Sequence, residues 1–135
     1  MTADDINQFS YLVVDDDEMS RDIIGGTLAR IGATQVFFAN DGSSAYRMAK
    51  QHRPDFILLD IYMPEVDGWT LLDQLRLVLP KAVVLMVTGS RQQADFVKSM
   101  NQRVDGFCIK PVLPDLMINN LINAKRHSQS VNTDS

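Results

Sequence analysis

Five short apolar runs, each followed by a polar residue, recur along this chain with helix-like segments between them. They are Tyr11–Val14, Gln35–Ala39, Phe56–Leu59, Ala82–Val87 and Gly106–Ile109. Runs of this length are too short for an ordinary buried helix and suit strands covered on both faces. In the intervals, apolar residues return at helical spacing: Ile23, Ile24, Leu28 and Ile31, then Ala45, Met48 and Ala49. Leu72, Leu75 and Leu79 follow in the same way, and then Phe96, Val97 and Met100. Pro114 opens a last helix, whose apolar arc holds Leu113, Met117, Ile118, Leu121, Ile122 and Ala124, with Leu116 on the polar side. Strand and helix signals alternating in this way predict an α/β fold, a three-layer sandwich with a parallel five-stranded sheet and five helices.

At 135 residues the chain suits one domain. An N-terminal segment is expected over 1–10, the domain over 11–127, and a polar, disordered tail over 128–135. Gly32 is placed to stop the first helix of the domain, and Asn40-Asp41-Gly42 reads as a turn leading into a cap. Gly25 and Gly26, inside that first helix, suit close packing.

The strand ends carry the chemistry. Asp15 and Asp16 follow the first strand, Asp60 the third, Thr88 the fourth and Lys110 the fifth. In a parallel sheet these ends share one edge, the edge at which open α/β sheets bind ligands. Three carboxylates brought together there repel one another unless a cation is present. Hard oxygen ligands that leave room for water call for Mg²⁺. With a lysine and a hydroxyl beside them, the set suits phosphoryl transfer onto a carboxylate.

The motifs Val13-Val-Asp-Asp16, Pro54-Asp-Phe-Ile-Leu-Leu-Asp60, Met63-Pro-Glu-Val-Asp-Gly68, Val87-Thr88-Gly89 and Ile109-Lys-Pro111 resemble the receiver domain of two-component response regulators. The resemblance covers roughly Tyr11 to Arg126 and implies a flavodoxin-like sheet of order 2-1-3-4-5. It implies that Asp60 is the phosphoacceptor, served by Thr88 and Lys110. It also implies that Asp15, Asp16, Asp60 and the backbone carbonyl of Tyr62 hold Mg²⁺. Thr88 and Phe107 would form the switch, and Met19, Ser20, Ile23 and Pro111 would meet the histidine-bearing partner. That partner would be a histidine kinase or a histidine phosphotransfer protein. The output would leave through the face made by the fourth helix, fifth strand and fifth helix, to a partner protein or to a second copy in a phosphorylation-linked homodimer. Arg103, Gly89 and Val112 depart from the residues usual in that family.

Such a module would support its own phosphorylation and dephosphorylation without turning over a substrate. The alternative is a phosphatase of the haloacid-dehalogenase type, with Asp15 as nucleophile and Asp17 as acid. That reading leaves Asp60 unexplained. The net charge of −4 and scattered basic residues give no nucleic-acid footprint. No apolar run reaches membrane-spanning length, no signal-peptide pattern opens the chain, and the single cysteine, Cys108, suits a buried hydrophobe. A cytoplasmic location with no membrane partner is expected.

Overall fold

The computed structural model describes residues 3–61, 63, 68–89 and 104–133. Its strands are β1 (Tyr11–Val14), β2 (Val36–Ala39), β3 (Phe56–Asp60), β4 (Val83–Thr88) and β5 (Gly106–Ile109). Its helices are α1 (Ala3–Ile6), α2 (Glu18–Arg30), α3 (Gly42–His52), α4 (Gly68–Val78) and α5 (Pro114–Thr133). All strand pairs are parallel, in the order β2-β1-β3-β4-β5, which is the flavodoxin-like arrangement expected. Of the five helices expected after the strands, four lie among the described residues. The one carrying Phe96, Val97 and Met100 lies outside them, as do Tyr62 and Arg103.

The strands read as continuous apolar runs because both faces are covered: every residue of β1, β3 and β4 is buried. Alternation along each strand divides the core into two layers. Leu12, Val14, Ile57, Leu59, Val84 and Met86 pack with Leu71, Leu72 and Leu75 of α4 and with Ala45 and Ala49 of α3. Tyr11, Val13, Phe56, Leu58, Leu85 and Val87 pack on the opposite face with Ile24 and Leu28 of α2 and Met117, Leu121 and Ala124 of α5.

The helix ends follow the chemistry of their sequences. Asp41 caps α3, accepting from the Ser44 N–H at 2.7 Å. Gly32 takes φ +92 just beyond α2, the left-handed turn that stops a helix. Gly25 does serve close packing, since a Cβ there would lie 2.7 Å from the Phe38 ring, whereas Gly26 meets nothing within 4 Å.

Within the N-terminal segment, Ala3–Ile6 forms a turn of helix that docks on the domain: Ile6 is fully buried and its carbonyl accepts a hydrogen bond from the Tyr11 hydroxyl. Two expectations differ from the structure, those for the tail and for Leu113. Residues 128–133, expected as a disordered tail, extend α5 to Thr133. The extension grows from an anchored turn, with Ser128 buried and His127 Nδ1 3.0 Å from Asp105 Oδ1. Leu113 does not join the apolar arc. It precedes α5 and is 58% exposed.

Candidate functional site

The β1–β3 register pairs Val14 with Leu59, so the next step of each strand sets Asp15 beside Asp60. On the other side of β3, Asp60 pairs with Val87, and Thr88 pairs with Ile109. The strand ends therefore deliver Asp15, Asp60, Thr88 and Lys110 to one crevice. Asp15, Asp60 and Thr88 are buried, while Asp16 is exposed at the rim.

Lys110 spans the acids. Its Nζ lies 3.1 Å from Asp15 Oδ2 and 3.4 Å from Asp60 Oδ2. Its backbone N–H donates to the Thr88 carbonyl at 2.7 Å, which fixes the loop after β5 against the end of β4. Burial pushes the ammonium pKa down, but the hydrogen bond and charge of Asp15, joined by Asp60, outweigh it and raise the pKa above its ordinary value. The lysine stays charged where its charge is needed.

Ligand atoms of Asp15, Asp16 and Asp60 all lie within 4.8 Å of one another. Asp15 Oδ1 accepts from the Asp17 N–H at 2.9 Å. Its Oδ2 is buried and has no hydrogen-bond partner among the described residues. The Lys110 ammonium, 3.1 Å away, faces this oxygen as an ion-pair partner without hydrogen-bond geometry. Three carboxylates against one lysine still leave the crevice negative. The donor set fits a hard divalent cation such as Mg²⁺.

Asp17 stands apart from this cluster. It is the N-cap of α2, accepting from the Met19 N–H at 3.2 Å and the Ser20 hydroxyl at 2.9 Å. The Ser20 hydrogen bond leads the effects that hold its carboxyl below the ordinary value. A carboxylate committed to a helix cap does not serve as the acid of an Asp15–Asp17 phosphatase pair. Of the four expected docking residues, Ser20 is buried, and its hydroxyl donates to Asp17. Met19 is 70% exposed, Pro111 is exposed and Ile23 is half-buried. Phe107 is half-buried on β5 and packs against the layer containing Met86 and Val104.

One positioning residue was visible only as part of a motif. Gly68 opens α4 against the end of β3, where a Cβ would lie 2.7 Å from both the Asp60 carbonyl oxygen and Ile61 Cα. Its N–H donates to the Ile61 carbonyl at 2.7 Å. The helix can approach the acceptor strand this closely only with glycine there.

Comparison with known proteins gives a consistent result. The family model described as response regulator receiver domain matches residues 11–122. The chain is 31% identical over 107 residues to chemotaxis protein CheY of Bacillus subtilis (strain 168), spanning 79% of this chain and 89% of that protein. It is 34% identical over 103 residues to the alkaline phosphatase synthesis transcriptional regulatory protein PhoP of the same organism, covering 76% of this chain but 42% of that longer protein. Among solved structures, Vibrio cholerae chemotaxis protein CheY4 superposes with a TM-score of 0.74 at 27% identity, over 85% of this chain and 97% of that one.

Proposed function

Because the chain belongs to the response regulator receiver domain family, we propose that it is a phosphorylation-dependent switch in which Asp60 takes a phosphoryl group from a phosphohistidine. The observation that carries this reading is the convergence of Asp60, Lys110 and the buried Asp15 carboxylate in one crevice. A carboxylate oxygen of Asp60 attacks phosphorus, the P–N bond breaks, and the partner imidazole leaves with its electron pair and takes up a proton. Lys110 stays with the carboxylates and balances charge on the phosphoryl oxygens, and the Thr88 hydroxyl donates to one of them. Asp15, Asp16, Asp60 and the Tyr62 carbonyl would hold Mg²⁺, which supplies further positive charge to the same oxygens. The donor is a histidine kinase or a histidine phosphotransfer protein, met through Met19, Ile23 and Pro111, with Ser20 setting the cap beneath them.

Thr88 and Phe107 would convert phosphorylation into a change of binding surface. A shift of an existing equilibrium by about 1–3 kcal/mol is enough. The surface includes Leu116, 51% exposed on α5, and its occupant is another protein or a second copy of this chain. No described helix is long and apolar enough to cross a membrane.

The test is phosphorylation by a small phosphodonor with Mg²⁺, followed by intact mass. The chain is expected to gain one alkali-labile phosphoryl group, and Asp60→Asn to gain none. Uptake that persists in Asp60→Asn, mapped to Asp15, overturns the assignment. Leu116→Asp is expected to leave that uptake intact while weakening association in beryllofluoride, as read by analytical ultracentrifugation. Equal association of mutant and wild type removes Leu116 from the surface.

A further inference from the structure

We infer that Arg21 is a positioning residue of the metal-binding loop, holding the Asp15–Asp16 peptide so that both carboxylates reach the cluster; the inference rests on the Mg²⁺ reading above. β1 ends at Val14, so the Asp15 carbonyl lies beyond the strand ladder. Arg21 Nη1 donates to that carbonyl at 2.7 Å, a short charge-assisted bond. On the other side of the residue, the Asp15 N–H donates to the Ala39 carbonyl of β2 at 3.1 Å. The main chain of Asp15 is thus gripped from both sides, and its Oδ1 is held by the Asp17 N–H. Its Oδ2 is buried and faces the crevice, where the Lys110 ammonium lies 3.1 Å from it.

The position of Arg21 is itself informative. It sits four residues after the N-cap Asp17, at the positive end of the α2 dipole, where a cation is disfavoured. A half-buried guanidinium there is not explained by the helix. It is explained by the carbonyl. Because one peptide plane carries both the Asp15 carbonyl and the start of Asp16, anchoring the first fixes the direction of the second. Asp16, exposed and on a loop, has no ladder to fix it.

Two effects of removing the side chain oppose each other, and this makes the inference decidable. Coulomb's law alone says that deleting a cation near three carboxylates tightens Mg²⁺ binding. Loss of the anchor says that binding weakens, as it does when other groups supporting metal ligands are removed. Calorimetric titration of the full chain with MgCl₂, below the unfolding temperature of each variant, separates them. Arg21→Met is expected to weaken Mg²⁺ affinity about tenfold, the lower end of the usual effect of such supports, at unchanged stoichiometry. Arg21→Lys, which keeps a charge but loses the planar fork, is expected to fall between the two and serves if the methionine variant does not fold. Affinity equal to or tighter than wild type in either variant overturns the inference. Asp16→Ala in the same titration keeps the two readings apart. If wild type binds no Mg²⁺, the metal reading fails, whereas intact wild-type binding with an unaffected Arg21→Met removes Arg21 alone.

Discussion

Lys110 is the residue on which the charge balance of the crevice turns. Its pKa is raised from the ordinary 10.5, burial being outweighed by Asp15 and Asp60. A raised folded-state pKa means that the ion pairs contribute fully below 10.5 and are lost as pH climbs through the folded value. Tyr11 acts in the same direction: burial, then the charge of Asp55, push its phenol above its ordinary 10.0, so the folded chain keeps a proton that the unfolded chain gives up. Burial also pushes the Cys108 thiol up, so among the described residues at least three groups contribute to the alkaline limb of stability. Lys110→Met is expected to flatten the fall in unfolding free energy as pH rises above 10.5. Urea denaturation across that range reads the slope, and an unchanged slope contradicts the pairing. Asp15, Asp60, Thr88 and Lys110 were legible in the sequence because a polar residue at the tip of an apolar run has only one edge to occupy. Ser20 was not. A serine in the first turn of a helix looks the same whether it faces a partner or caps from within, and only the Asp17 contact decides. Arg21 had a faint signal, a cation at the wrong end of a helix dipole, but no residue spacing names the carbonyl it seeks.

Elements were legible where periodicity is strong, and failed where tertiary contact outweighs composition. The strands differ from expectation by a residue at most, with β2 starting at Val36 and β4 running from Val83 to Thr88. The end of α5 was misread because polarity alone cannot distinguish a free tail from a helix pinned by its neighbours. His127 reaches Asp105, which also accepts from the Val84 N–H at 2.9 Å and pairs with Arg76 at 3.4 Å. Lys125 lies over the Phe9 ring at 4.8 Å, tying α5 to the N-terminal turn. A single buried Ile6 in a four-residue helix carries no periodicity to read. The junction of β3 and α4 makes a sharper claim. At Gly68 the crowding atoms are backbone, which cannot rotate away as a side chain can. Gly68→Ala is expected to cost roughly 1–3 kcal/mol of stability, as overpacking does, and to slow phosphorylation by shifting Asp60. Urea midpoints and phosphodonor uptake measure both. A variant as stable and as fast as wild type means that the helix start moves freely, and the close approach then has no role in placing the acceptor.

At the scale of the molecule, charge is divided between the two edges of the sheet. The carboxylates gather at the C-terminal ends of the strands, beside the N-terminus of α2, where a helix dipole favours negative charge. At the opposite edge Arg53, Lys81 and Lys125 line a cleft of about 310 Å³ with Pro54 and Asp55. Arg53 follows α3 and donates to the Val78 carbonyl that ends α4, at 3.5 Å, so its charge lies at two helix C-termini. Helix ends account for Arg53, but nothing comparable balances the acidic edge. One lysine faces three carboxylates, and a ligand that binds only the folded chain raises its stability by mass action. Mg²⁺ should therefore stabilise the wild type, by about 1.4 kcal/mol for each tenfold excess over its Kd once the site fills. Asp16→Ala removes a ligand and should lose most of that gain. Lys110→Met should do the opposite. Without its ammonium the acids repel more strongly in the metal-free protein, and Mg²⁺ no longer shares them with a second cation. Its metal-free unfolding temperature should fall below wild type, and the rise on moving from EDTA to millimolar Mg²⁺ should exceed that of wild type. Differential scanning calorimetry of the three proteins in both buffers gives the ordering. Equal rises in wild type and Asp16→Ala would mean that the cation binds elsewhere. A smaller rise in Lys110→Met would mean that the lysine builds the site and does not compete for it.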